Sequence, residues 1–217
     1  ALRRYEQYQD ALADDRAFQK RYMFPVEVNV SKKKTVMVEA DEGVMESTSE
    51  GLAKLRPVLP DGVHTFGAQT HPADGNCGIT VTTQDKAKEL SADPNLEIQV
   101  ISYGYAREKK AFMAAAVFPS VQMALENANI GAKDVSVIKT HNPFAANDIH
   151  LASNLGIDVN GMNNYGSSLI YGHPQGPTAG RLIIEGIEET AMKGGGYMLF
   201  AGCAAGDTAA AIVLKVG

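Results

Sequence analysis

His173, in Gly172-His173-Pro174, and Cys203, in Gly202-Cys203-Ala204-Ala205-Gly206-Asp207, are the side chains of this sequence whose types and setting suit chemistry. A histidine on a Gly/Pro-rich turn can take a thiol proton and steady a carbonyl oxygen. A cysteine at the end of a strand-like run can shuttle a proton at the α-carbon of a thioester substrate. Together they meet the requirements of acyl transfer on a thioester. A third group, His141-Asn142-Pro143-Phe144-Ala145, precedes them. His64, His71 and His150 have no ligand spacing that would suggest a zinc site, and none is expected.

Such side chains need regular elements to hold them. Residues 1–20 read as an amphipathic helix, with Leu2, Tyr5, Tyr8 and Leu12 near helical spacing and many charges on the exposed face. Residues 24–30 are an extended run bounded by Lys32-Lys33-Lys34, and 47–54 a short helix stopped by Arg56-Pro57. Residues 61–78, rich in Gly, His, Pro and Asp, read as a long functional loop. A strand over 79–83 and a helix over 84–90 follow. Strands are expected over 98–105, 135–139, 198–201 and 209–215, and helices over 111–129, 144–155 and 175–193. From residue 97 onward strands alternate with helices, the pattern of a layered α/β architecture.

The 217 residues are enough for a sizeable core, and a 45% hydrophobic, 21% charged composition is ordinary for a globular protein. A net charge of −5 argues against nucleic acid as a bulk electrostatic partner. No apolar run approaches a membrane span. Cys77 and Cys203, without CxxC spacing, suggest a reducing compartment, and a cytoplasmic setting is expected. The chain begins Ala1-Leu2-Arg3-Arg4 and reads as the product of a cut, or as one part of something larger.

The three motifs, in this order and spacing, resemble the C-terminal signature of the thiolase family. Residues 163–180 (NNYGSSLIYGHPQGPTAG) are similar to the family's segment around Gly-His-Pro. Residues 196–216 look like its closing strand, cysteine turn and strand, and 48–57 (TSEGLAKLRP) like the stretch leading out of its loop domain. The resemblance covers essentially the whole chain and the second half of the family's length. It implies a layered αβαβα fold of which this chain supplies the C-terminal half plus part of the loop domain. On that scheme residues 1–66 are part of the loop domain on the coenzyme A side, 67–93 the last segment of the N-terminal half, and 94–217 the C-terminal domain. The Lys32-Lys33-Lys34 cluster would then be either a solvated turn or an attraction for the nucleotide end of coenzyme A.

The resemblance also implies roles. His173 would activate a nucleophilic cysteine that lies in the family's N-terminal half, which this chain lacks; Cys77 is expected to be a buried structural residue instead. Cys203 would be the second catalytic cysteine, a general acid/base. The backbone N–H of Ala205 would serve an oxyanion hole. His141 would hold the water that completes another oxyanion hole with His173. Thr70, Met113 and Phe144 would touch the pantetheine arm or the acyl group. Asn142-Pro143 and Ala204-Ala205 depart from the family's usual Glu-Ala and glycine run. No metal or redox cofactor is implied, coenzyme A being a substrate as its thioester. The implied partners are an N-terminal half or second chain, a homo- or hetero-oligomer, and a small zinc/OB-fold protein. The isolated chain is expected to be inactive. A non-catalytic thiolase-like subunit or scaffold is the alternative; a ketoacyl synthase fits less well, because those relatives usually carry His or Asn where Cys203 stands.

Overall fold

In the computed structural model, which describes all 217 residues, the chain runs α1 (Leu2–Arg16), β1 (Val26–Ser31), β2 (Lys34–Val38), α2 (Ser49–Ala53), α3 (Gln84–Leu90), β3 (Ile98–Arg107), α4 (Val117–Ala128), β4 (Val135–His141), α5 (Ala145–Leu155), α6 (Ser168–Tyr171), α7 (Thr178–Met192), β5 (Gly196–Ala204) and β6 (Thr208–Val216). The main sheet has the order β3-β6-β5-β4. β4 and β5 are parallel, while β6 runs antiparallel to both β3 and β5.

Alternation along the strands gives the sheet two apolar faces. Leu199, Ala201 and Cys203 of β5 and Ala209, Ala211 and Val213 of β6 pack with Val121, Ala124 and Leu125 of α4 and Leu151 of α5. Met198 and Phe200 of β5, Leu214 of β6 and Val137 of β4 pack with Leu182 of α7 and Tyr8 of α1. The period of two in the strands therefore separates two helix layers. β1 and β2 form a separate exposed hairpin, with Val26 opposite Val38 and Val28 opposite Val36. No helix is long and apolar enough to cross a membrane.

Three expectations are corrected. The buried face of α1 is Arg4, Gln7, Tyr8 and Ala11, not the stripe of Leu2, Tyr5 and Leu12, which are only half-buried. Arg4 is drawn inward by Asp148, with Nε 2.9 Å from the carboxylate and both side chains about 5% exposed. Residues 79–83 form no strand, because no neighbouring strand supplies ladder hydrogen bonds; Ile79 and Val81 stay exposed. The long helix starts at Thr178 rather than 175, since Gln175 has φ +57° and cannot join a right-handed helix.

Candidate active site

Because β4 and β5 are parallel, their C-terminal ends meet at one edge of the sheet, where α/β folds bind ligands. His141 ends β4 and pairs with Gly202; Cys203 follows on β5. A Cβ on Gly202 would stand 3.0 Å from the Cβ of His141 and 3.1 Å from the Phe200 ring, so a small residue before Cys203 lets the histidine sit beside it. His173 comes from the loop between α6 and α7. Its N–H donates to the His71 carbonyl at 2.8 Å, and Gly172 makes the turn at φ +93°, where a Cβ would press on Ala73 at 2.7 Å. The His141 and His173 rings lie 4.2 Å apart, tilted by 31°.

His141, His173, Cys203, Ala205 and Met113 line one cleft of about 1230 Å³, with Phe200, Arg107 and Thr178 on its walls. Each imidazole has its Nδ1 held by a hydroxyl: His141 by Ser168 Oγ at 2.8 Å, His173 by Thr178 Oγ1 at 2.7 Å. In both cases Nε2 is left to act. Ser168 gives its own proton to Asn142 Oδ1 at 3.2 Å, so His141 donates through Nδ1–H and keeps Nε2 as an acceptor. Burial, and then the neighbouring His173, push the His141 pKa down to about 4. Burial also lowers His173. Both rings are therefore neutral near pH 7, the state in which a histidine can receive a proton. Burial pushes the Cys203 thiol up, partly opposed by a hydrogen bond from Asn147.

A buried polar cluster fixes this floor. Asp148 accepts from Arg4, from Thr140 Oγ1 at 2.5 Å, from Asn142 Nδ2 at 2.7 Å and from Asn163 Nδ2 at 3.2 Å. Asn142 Oδ1 also accepts from the Leu169 N–H at 3.1 Å. Asn142, which departs from the usual family residue, is thus a brace between the His141 loop and α6.

Of the residues singled out in the sequence, Thr70 and Phe144 do not line the cleft. The Thr70 hydroxyl donates to the Ser168 carbonyl and its N–H to the Pro143 carbonyl at 2.8 Å, tying the His141 loop to α6. Phe144 is 36% exposed and meets the His64 ring edge-on at 5.3 Å. Cys77 is exposed, which corrects the expectation of burial. Its sulfur rests on Gly180, where a Cβ would lie 2.2 Å away, so it is covered on one side only. Ser168, Thr178 and Asn147 escaped the sequence reading. Thr178 offered a faint signal, as a hydroxyl shortly after the histidine at the start of a helix.

The sequence profile of the thiolase C-terminal domain matches residues 95–216. Human mitochondrial 3-ketoacyl-CoA thiolase is 26% identical over 204 residues, covering 94% of this chain and 51% of that protein. A 3-ketoacyl-CoA thiolase of Photobacterium profundum is 31% identical over 198 residues, covering 82% of this chain and 45% of the relative. The fold matches the crystal structure of Bacillus anthracis acetyl-CoA acetyltransferase at a TM-score of 0.90 and 24% identity, covering 100% of this chain and 54% of the other. The chain spans about half the length of the curated relatives it matches.

Proposed function

The chain belongs to the thiolase family, and on that premise we propose that it supplies the C-terminal part of an acyltransferase moving acyl groups between coenzyme A and a 3-oxoacyl-CoA. The observation that carries the reading is the convergence of His141, His173 and Cys203 on one cleft. The nucleophilic cysteine comes from an N-terminal half or second chain. His173, its Nδ1 paired with the Thr178 hydroxyl, takes that cysteine's proton on Nε2 in the tautomer that donates Nδ1–H to Thr178. A water donating to Nε2 of His141 turns its second hydrogen toward the substrate carbonyl oxygen, where negative charge develops. Cys203 moves the proton at the substrate α-carbon or on the incoming thiol. The two thiols are unpaired, in keeping with the cytoplasmic setting we propose.

The test is thiolysis of a 3-oxoacyl-CoA by this chain joined to a thiolase N-terminal half, followed as release of the shorter acyl-CoA. Cys203→Ala is expected to lower kcat by roughly 10²–10⁴-fold, the usual worth of a positioned acid/base. Unchanged thiolysis in that variant would sink the assignment of Cys203 as the proton shuttle.

A further inference from the structure

The buried amide of Asn147 carries an inference about how Cys203 can ionise at all. Asn147, on α5, is 2% exposed, and its Nδ2–H donates to Cys203 Sγ at 3.4 Å. Its Oδ1 is buried and accepts nothing. An orphaned carbonyl in a dry site is destabilising and calls for an explanation. The sulfur supplies one, because it is the sole hydrogen-bond partner of the amide. The NH₂ end suits a thiolate, which only accepts. The Oδ1 end suits a thiol, which has one proton to give. A half-turn of the amide exchanges the two ends, and Oδ1 has no other partner to lose.

We propose that Asn147 is a positioning residue for Cys203, an amide that holds the sulfur in either protonation state and so lets a buried thiol cycle between them. The other titratable and charged groups around the thiol are few. His141 and His173 share the cleft with the thiol and are neutral near pH 7, and Arg107 lies on the cleft wall. The Asp148 carboxylate is engaged by Arg4, Thr140, Asn142 and Asn163. The Asp207 carboxylate accepts from the Ala111 N–H at 3.1 Å. β6 brings no titratable side chain beside Cys203, its partner there being Ala209. The significance for catalysis rests on the reading of Cys203 as a proton shuttle; the hold on the thiol does not.

In the chain carrying Cys77→Ser, Cys203 is the sole thiol, and its alkylation by iodoacetamide across pH reads its ionisation. Asn147→Leu, similar in size but without a donor, is expected to raise the midpoint by about one pH unit, roughly tenfold less thiolate at a given pH, because the charge-assisted bond to the thiolate is the stronger of the two the amide makes. Asn147→Asp is expected to raise it further, by setting a carboxylate against the thiolate. Both are judged with circular dichroism and thermal unfolding matching the parent, and if only one folds, it decides. An unchanged midpoint overturns the proposal. A reading with Asn147 intact comes from the S–H infrared stretch of Cys203 in the same Cys77→Ser chain, expected at the lowered frequency of a hydrogen-bonded thiol; the frequency of an unbonded thiol overturns the proposal equally. Neither readout involves acyl transfer. A shifted midpoint together with full thiolysis by Cys203→Ala would keep Asn147's hold on the thiol and remove Cys203 from the reaction.

Discussion

At the scale of the residue, His141 shows what burying a base does. The residue is 7% exposed, its Nδ1 is tied to Ser168, and a second imidazole lies beside it, so a positive charge there is poorly solvated. A pKa pushed down to about 4, against 6.5 for an unhindered histidine, means that the folded state refuses a proton the unfolded chain accepts. The neutral ring therefore contributes stability above pH 6.5, and that contribution is lost as pH falls from 6.5 toward 4. Urea unfolding at a series of pH values is expected to show roughly 3 kcal/mol of such loss between pH 7 and pH 4. His141→Asn, which has no proton to accept, is expected to flatten that part of the curve. An identical slope in the variant would mean that the ring is not held neutral.

At the scale of the element, the sheet and its helices meet most closely where side chains are absent. A Cβ on Gly104 of β3 would fall 2.1 Å from the Ser120 carbonyl oxygen and 2.6 Å from the Ala124 nitrogen. Those atoms are α4 backbone, so they cannot swing aside as a flexible side chain would. Gly104→Ala should force helix and strand apart and destabilise the chain by about 1–3 kcal/mol in urea unfolding, the usual range for overpacking. Gly78→Ala is the control, since a Cβ there meets nothing within 4 Å. It is expected to change stability by no more than about 0.5 kcal/mol. Equal effects at the two positions would mean that the α4–β3 contact yields more readily than its geometry implies.

At the scale of the whole molecule, a buried ionic network joins the N-terminal segment to α7. Lys139 on β4 is fully buried, with Glu185 at 3.4 Å and Glu189 at 3.8 Å. Glu185 also accepts from Tyr22 at 2.6 Å, from Arg181 at 3.0 Å and from Tyr171 at 3.3 Å. Arg181 reaches on to Asp41 and lies 3.5 Å over the Tyr171 ring, two residues before His173. Removing one member leaves the others desolvated and unpaired. Glu185→Ala is expected to lower stability by about 3–5 kcal/mol in urea unfolding. It should also speed proteolysis of the segment between α1 and α2. A drop below about 1 kcal/mol would mean that the network is wet or redundant.

What this sequence determined by itself was whatever depends on near neighbours along the chain. Strand-like runs marked β3 to β6, helix-like runs marked α4, α5 and α7, and the Gly172-His173-Pro174 and Gly202-Cys203 motifs marked the cleft, because local composition and turn residues bound each element. Tertiary structure alone decided the fate of residues whose partners are remote. The Arg4 stripe of α1 looked solvated, yet Arg4 is buried by Asp148, 144 positions away. Residues 79–83 had the composition of a strand, but a strand needs a ladder partner that no local pattern can supply. Cys77 is a residue type often found buried, yet it lies exposed, its sulfur covered only by the start of α7 around Pro177 and Gly180. Asn147, Ser168 and Thr178 are ordinary polar residues in a string of letters. They matter because folding sets them against a thiol and two imidazoles, and in a buried site a single hydrogen bond decides which form of such a group survives.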